Sequence, residues 1–224
     1  MRDRYSIIVG LLFLAVIGIA AINTLGGGGG GEATLGLDRM PARWPLPEFA
    51  VPVAAGSLEG DANVAQDDCQ SSSIPCPHGD RRPPACRIPT AGAIRVCDLF
   101  DKPLAVSFWF TKPSGCLPTQ DAFDAVASQY RGRVNFLSID IHSDREEVAG
   151  IIRDRGWTVP VGLDPDGAVS NLYRVGLCPT IVLAYPGGIV DEAKIEPGNY
   201  DEADISGFVD ELIADSKARA AESR

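Results

Sequence analysis

Short apolar runs alternate with stretches of helical periodicity along most of this chain, a pattern that predicts an α/β fold. Residues 104–110 (LAVSFWF) are apolar and aromatic apart from one serine, as expected of a central strand that is covered on both faces. The turn-forming segment TKPSG follows. From Leu117 onward, apolar residues recur at three- and four-residue spacing, and Pro118 fits only the first turn of a helix. A helix is therefore predicted to begin close to Cys116.

The same reasoning extends to the C-terminal half of the chain. Residues 134–141 (VNFLSIDI) predict a second strand, 144–155 an amphipathic helix, 185–189 a hairpin turn and 201–216 a last helix. This order implies a central mixed β-sheet with helices on both faces. The charged residues 217–224 are predicted to form a frayed tail.

The N-terminus carries the pattern of a membrane anchor. Residues 7–22 contain no charged side chain, and with their flanks they reach the ~20 residues that span a bilayer. Arg2 and Arg4 precede the run, so the positive-inside rule keeps the N-terminus in the cytoplasm and places the bulk of the chain outside. A cleaved signal peptide is the alternative. The six glycines at 26–31 lack the residues of a phosphate-binding loop and predict a linker.

Composition narrows the range of functions. The 224 residues carry a formal net charge of −10, which argues against nucleic-acid binding and against docking on an anionic membrane surface. Six cysteines fit an exported, oxidising setting. No motif for a cofactor is found, so none is predicted.

Four of the cysteines lie in a Pro-, Ser- and Gly-rich segment that cannot bury enough apolar surface to order itself, so we predict that disulfides compensate. Four cysteines allow three connectivities, of which proximity favours Cys69–Cys76 with Cys86–Cys97. A zinc site that includes His78 is the alternative. The intervals of six, nine and ten residues lack the short cysteine pair typical of such sites, so no metal is predicted.

A thiol at the start of a helix lies near the positive end of the helix dipole and near unpaired backbone N–H groups, which favour the thiolate. Cys116 is therefore a candidate reactive cysteine. The alternative interpretation is a half-buried structural thiol. Downstream, the segment VGLCPT contains Cys178, Pro179 and Thr180 in a loop that leads into another apolar run.

Together these two segments resemble a known family. FWF-TKPSGC is similar to the FWA-SWCGPC segment of thioredoxin-like proteins, especially the membrane-anchored TlpA-like thiol–disulfide reductases and related redoxins. The resemblance covers about residues 85–215. Pro113 stands where that family has its nucleophilic cysteine, and Cys116 stands where it has the resolving one. Proline has no thiol, so dithiol exchange within this motif is excluded.

The resemblance implies a thioredoxin-like fold preceded by a single transmembrane helix. It also implies that Cys116 and Cys178 come within disulfide distance. We expect a cis bond before Pro179, with Pro179, Thr180 and Trp109 contacting an extended protein substrate. The partner expected from this similarity is a protein thiol or disulfide.

Two alternatives to a thiol–disulfide oxidoreductase stay open. The first is a binding or assembly module that kept the fold and holds Cys116–Cys178 as a structural disulfide. The second is a peroxiredoxin-like thiol peroxidase, although the threonine expected three residues before the cysteine is replaced by Pro113.

The domain organisation follows from these interpretations. We predict a cytoplasmic N-terminus and anchor at 1–25, a glycine-rich linker at 26–43 and a cysteine-rich extension at 44–98. The thioredoxin-like domain is predicted at 99–216.

Overall fold

The computed structural model describes residues 44–58, 70–71, 74–75, 85–87, 91–112, 114–195 and 198–222. The predicted membrane anchor, the glycine linker, Cys69, Cys76, His78 and Pro113 lie outside these ranges. Among the residues that are described, no helix is long and apolar enough to cross a membrane.

Nine strands and four helices are described in chain order. The strands are β1 (Ala50–Pro52), β2 (Gln70–Ser71), β3 (Ile74–Pro75), β4 (Ala93–Arg95), β5 (Leu104–Trp109), β6 (Asn135–Ile141), β7 (Val161–Asp164), β8 (Thr180–Tyr185) and β9 (Ile189–Ile195). The helices are α1 (Leu117–Gln129), α2 (Arg145–Arg155), α3 (Ala168–Leu172) and α4 (Glu202–Glu222). Short 3₁₀ turns cover Ala85–Arg87, Val96–Leu99 and Ser114–Cys116.

The central sheet is mixed and has the strand order β7-β6-β5-β8-β9. Strands β5, β6 and β7 run parallel, while β8 and β9 are antiparallel to their neighbours. All six residues of β5 are buried, because this strand is central and covered on both faces. The predicted α/β fold with a mixed sheet is therefore confirmed.

Two apolar cores lie on opposite faces of the sheet. The side chains of β5 point alternately into the two cores. Ala105 and Trp109 belong to the first core, whereas Leu104, Val106 and Phe108 belong to the second. Helices α1, α2 and α4 pack on the first face. On the second face lie α3 and part of the segment that precedes the sheet.

Residues 44–58, here called the strap, cross the second face and reach both edges of the sheet. At the β9 edge, the Leu46 amide donates to the Gly188 carbonyl (2.7 Å). At the β7 edge, the Ala54 amide donates to the Val161 carbonyl (2.8 Å). These backbone hydrogen bonds tie the strap to both edges of the sheet.

Side chains fasten the strap between these two ends. Phe49 is fully buried and meets Tyr173 edge-to-face, with ring centroids 5.5 Å apart. The Tyr173 hydroxyl donates to the Pro47 carbonyl (2.7 Å). At the far end, the Arg145 guanidinium donates to the carbonyls of Val53 (2.7 Å) and Gly56 (2.9 Å). The strap is thus part of the folded domain and contributes to its second core.

The last helix is longer than the sequence pattern predicts. Residues 217–222, predicted as a frayed tail, continue α4 to Glu222. Lysine, arginine, alanine and glutamate are good helix formers, and the Arg219 guanidinium lies 4.2 Å from the centre of the Tyr185 ring. Helix propensity and this contact extend the helix beyond its last large apolar residue, Ile213.

The Tyr173 hydroxyl offers a test of how the strap is held. Tyr173→Phe keeps the ring in the core but removes the donor to Pro47, so we expect the free energy of unfolding to fall by about 1 kcal/mol. Amide exchange at Leu46 should become faster. Tyr130→Phe is the matched control, because the Tyr130 hydroxyl donates to Asp210 (2.9 Å), away from the strap. Equal exchange at Leu46 in both variants would contradict this role of Tyr173.

Candidate functional site

Cys116 lies in the connection between strand β5 and helix α1. The 3₁₀ turn Ser114–Cys116 ends at this cysteine, and α1 begins at the next residue with Pro118 in its first turn. Cys116 is 3% exposed and is part of the first core. Its sulfur is therefore shielded and sits at the positive end of a 13-residue helix, as the sequence predicts.

Cys178 lies next to Cys116 in the fold, although it is distant in sequence. It lies in the loop before β8 and is half-buried. The Cys178–Pro179 peptide bond is cis. Cys178 is joined to Cys116 by a disulfide with a Cα–Cα distance of 5.8 Å across 62 residues of sequence. The structure thus brings together the two cysteines that the resemblance pairs.

A surface groove of about 450 Å³ runs past this disulfide. Besides the two cysteines, its walls are formed by Phe110, Gly115, Gly176, Leu177, Gly198 and Asn199. Leu177 is 38% exposed and, with Trp44, is one of two exposed large apolar side chains among the described residues. The groove therefore offers an apolar surface directly beside Cys178.

The other predicted substrate contacts lie elsewhere. Trp109 is fully buried and packs edge-to-face on Trp157, with ring centroids 5.3 Å apart. Thr180 is 1% exposed, and its hydroxyl donates to the Leu177 carbonyl (2.8 Å); Pro179 is buried as well. None of these three residues lines the groove, and their contact with a substrate stays a prediction. Trp109 fills the core under α1, and Thr180 fixes the loop that carries Cys178.

A buried polar bridge holds α1 against the sheet. The Gln120 side-chain amide donates to the Ser107 hydroxyl, and its carbonyl accepts from the Ser138 hydroxyl (2.8 Å). Both serines are fully buried, on β5 and β6 respectively. Because buried polar groups are costly unless they are paired, this bridge fixes the position of α1, and with it Cys116.

One buried carboxyl group lies on the same face of the sheet. Asp140 on β6 pairs with Trp109 in the strand register and is fully buried. Its Oδ2 accepts from the Ser143 hydroxyl (3.0 Å), and that hydroxyl is 3.0 Å from the Thr111 hydroxyl. Among the described residues, Asp140 Oδ1 has no hydrogen-bond partner.

The surroundings of Asp140 favour its neutral form. Burial raises the pKa of Asp140 to about 7; the hydrogen bonds from Ser143 oppose this, and the nearby charges of Glu147 and Asp164 add to it. Asp140 was not predicted as a site residue from the sequence. The feature that could have indicated it is the pair of polar residues Ser138 and Asp140 in an otherwise apolar strand, because alternate residues of a strand lie on one face.

The structure describes two of the four remaining cysteines, Cys86 and Cys97. Cys86 and Cys97 form a disulfide with a Cα–Cα distance of 5.6 Å, the pairing that proximity favours. Cys69 and Cys76, predicted as a second structural disulfide, lie outside the described residues. All four cysteines that the structure describes are therefore in disulfides.

Comparison with known proteins finds relatives of one kind. The thiol-disulfide oxidoreductase ResA of Bacillus subtilis is 28% identical over 120 residues, which are 52% of this chain and 64% of that protein. The chain thus spans less than two thirds of the length of this curated relative. No protein-family model matches the chain.

Solved structures show the same fold at lower identity. A DsbF homologue from Corynebacterium diphtheriae superposes with a TM-score of 0.56 at 13% identity, over 82% of this chain and 95% of that one. A thiol:disulfide interchange protein of the thioredoxin family from Chlorobium tepidum gives a TM-score of 0.53 at 16% identity, over 77% of this chain and 98% of that one.

A mixed sheet between helices, with a cysteine at a helix start facing a cysteine–proline loop, defines a thioredoxin-like α/β protein. Its similarity to the ResA proteins and to the two solved structures agrees with this class. The chain therefore has the thioredoxin-like fold and is similar in sequence to the ResA thiol-disulfide oxidoreductases.

The raised pKa of Asp140 predicts how stability depends on pH. The folded protein binds more protons than the unfolded chain between about pH 4 and pH 7, so the free energy of unfolding should fall as the pH rises through this range. The shift corresponds to at most about 4 kcal/mol. In Asp140→Asn most of this decline should disappear, the remainder coming from Asp164 and Asp191, whose pKa values burial also raises. At pH 8 the variant should be more stable than the wild type.

Chemical denaturation at several pH values measures the effect. Asp154→Asn is the control, because Asp154 is an exposed carboxylate beside Arg153. If the wild type and Asp140→Asn lose the same stability between pH 4 and pH 7, Asp140 is not the group responsible.

Proposed function

We propose that this protein is an extracytoplasmic, membrane-tethered thiol–disulfide oxidoreductase that acts on protein thiols and disulfides through Cys116 and Cys178. The observation that carries the proposal is the Cys116–Cys178 disulfide, which lies at a helix start and lines an open groove. The proposal is also supported by the two ResA relatives, which are named as thiol-disulfide oxidoreductases.

Unequal burial assigns different roles to the two sulfurs. Cys116 is 3% exposed, whereas Cys178 is half-buried beside the exposed Leu177. An incoming substrate sulfur therefore reaches Cys178 first. Cys116, at the N-terminus of α1, is suited to be the leaving group, because the helix dipole stabilises its thiolate.

The proposed exchange has two steps. A substrate thiolate attacks Cys178 Sγ, the Cys116–Cys178 bond breaks, and Cys116 leaves as a thiolate. The second substrate thiolate then attacks the substrate sulfur of the mixed disulfide, forms the substrate disulfide and releases Cys178. Two electrons pass from the substrate to the cysteine pair, and the two substrate protons go to the new thiolates or to solvent. The reverse sequence reduces a substrate disulfide.

An extended peptide is the substrate form that suits the groove. Phe110 and Leu177 supply apolar contacts in the walls of the groove, and the glycines there let a peptide backbone approach closely. Burial of Cys116 disfavours the thiol peroxidase alternative, because a peroxide would have to reach that sulfur. The binding-module alternative predicts instead a disulfide that resists reduction.

The reduction potential of the Cys116–Cys178 pair separates these possibilities. We expect the full chain in detergent to show a potential between about −120 and −270 mV for this pair, the range of exchange catalysts. Equilibration in thiol–disulfide buffers followed by alkylation and mass spectrometry assigns the value to individual cysteines. A potential below about −300 mV would favour a structural disulfide and would overturn the enzyme proposal.

Single serine variants test the roles of the two sulfurs. Cys116→Ser keeps the accessible Cys178 but removes the resolving thiol, so mixed disulfides with substrate proteins should accumulate. Cys178→Ser should trap at least about tenfold less, given the burial of Cys116. Non-reducing electrophoresis with mass spectrometry of the adducts gives the comparison. Equal or stronger trapping by Cys178→Ser would reverse the assignment.

The tether is supported by the uncharged residues 7–22 and by the preceding arginines at positions 2 and 4. We expect the full chain to stay with the membrane after alkaline extraction. A membrane-impermeant protease applied to intact cells or spheroplasts should digest the redox domain. Release by alkali, or protection from the protease, would contradict the tether or its orientation.

A further inference from the structure

A second group of sulfur and oxygen atoms lies away from the redox disulfide. Cys86 and Cys97 sit in the 3₁₀ turns Ala85–Arg87 and Val96–Leu99. Glu48 comes from the strap, and one of its carboxylate oxygens accepts from the Cys86 amide (3.4 Å). A carboxylate oxygen of Glu48 and the two sulfurs all lie within 4.8 Å of one another.

The three residues share one open cavity. All are half-buried, and all line a cavity of about 780 Å³ whose wall also includes Phe100 and Arg174. Cys97 packs against the second core, whereas Cys116 belongs to the first, so the two disulfides lie on opposite faces of the sheet. This group, here called the Glu48 cluster, is therefore separate from the redox groove.

We propose that reduction of the Cys86–Cys97 disulfide converts the Glu48 cluster into a Zn²⁺ site. Two thiolates and a carboxylate are ligands that Zn²⁺ prefers, and a site with three protein ligands leaves a fourth position for water from the cavity. Tetrahedral coordination at Zn–S distances of about 2.3 Å separates two sulfurs by about 3.7 Å. The ligand atoms already lie close enough for small side-chain rotations to reach this geometry.

Electrostatics explains why a cation would be taken up after reduction. Opening the bond gives two thiols beside the Glu48 carboxylate, and ionisation of both would place three negative charges together. Zn²⁺ leaves a net charge of −1 on the cluster, in a cavity to which Arg174 also contributes a positive charge. In the oxidised protein the sulfurs are bonded to each other, so the cluster binds no Zn²⁺ in that state.

A dithiol can serve as the reductant of the Cys86–Cys97 disulfide. The dithiol gives two electrons and two protons, the Cys86–Cys97 bond breaks into two thiols, and the dithiol becomes a disulfide. Binding of Zn²⁺ then displaces the two thiol protons to solvent. The proposal does not depend on exchange at Cys116 and Cys178, because any reductant that reaches the cavity is sufficient.

The experiment compares the full chain before and after reduction with a phosphine, which becomes its oxide by taking oxygen from water and does not compete strongly for Zn²⁺. Zn²⁺ should slow alkylation of Cys86 and Cys97 at least about tenfold in the reduced protein, as mapped by mass spectrometry. Co²⁺ in place of Zn²⁺ should give a thiolate charge-transfer band. The oxidised protein should show no such band from this cluster.

Two carboxylate variants separate a ligand from a nearby charge. Glu48→Gln removes the proposed ligand and should weaken protection of Cys86 and Cys97 by Zn²⁺ at least about tenfold. Asp98→Asn is the matched control: Asp98 is exposed, next to Cys97 in sequence, and paired with Arg95 (2.8 Å) instead of the sulfurs. This variant should behave like the wild type within about twofold.

Two results would overturn the proposal: unchanged alkylation of Cys86 and Cys97 in the presence of Zn²⁺, or equal protection in Glu48→Gln and Asp98→Asn. Both variants keep every cysteine, so each can be folded with its disulfides intact and reduced afterwards. Because the measurement is specific to Cys86 and Cys97, a resistant Cys116–Cys178 disulfide would defeat the proposed function without affecting this result.

Discussion

The antiparallel register between β5 and β8 sets the position of Cys116 and Cys178 in the groove beside Leu177. In this register Phe108 lies opposite Thr180, so the end of one central strand meets the start of the other. The chain leaves β5 towards Cys116 and enters β8 from Cys178. Two residues that are 62 positions apart are thereby held with their Cα atoms 5.8 Å apart. Gln120 and its two serine partners then keep helix α1 in place above this junction.

Local patterns were sufficient to predict the central elements. The buried strand β5 and the start of α1 next to Cys116 follow from apolar periodicity and from the position of Pro118. The pairing of Cys116 with Cys178 came from a family resemblance, since no local signal joins two distant cysteines. The short strand β7 was not predicted, because its four residues include one glycine and one aspartate and give little apolar signal.

The residues that sequence analysis missed depend on tertiary contacts. The burial of Asp140 depends on which face of β6 packs under the helices, and Glu48 is brought to Cys86 from 38 residues away. Trp109 is fully buried and packs edge-to-face on Trp157. In each case the deciding partner comes from an element that is distant in sequence. Residue type and spacing therefore identified Cys116 as a candidate reactive cysteine but left its surroundings undetermined.

The strap restricts how a strand of another chain can pair with the edges of the sheet. An open sheet has two edges whose backbone groups can pair with a foreign strand. Here a single segment bonds to the hairpin beside β9 at one end and to β7 at the other. An added strand at either edge would compete with Leu46 or Ala54 for the same carbonyl groups. Recognition of a partner by strand addition would thus require the strap to peel away, which would uncover Phe49 and part of the second core.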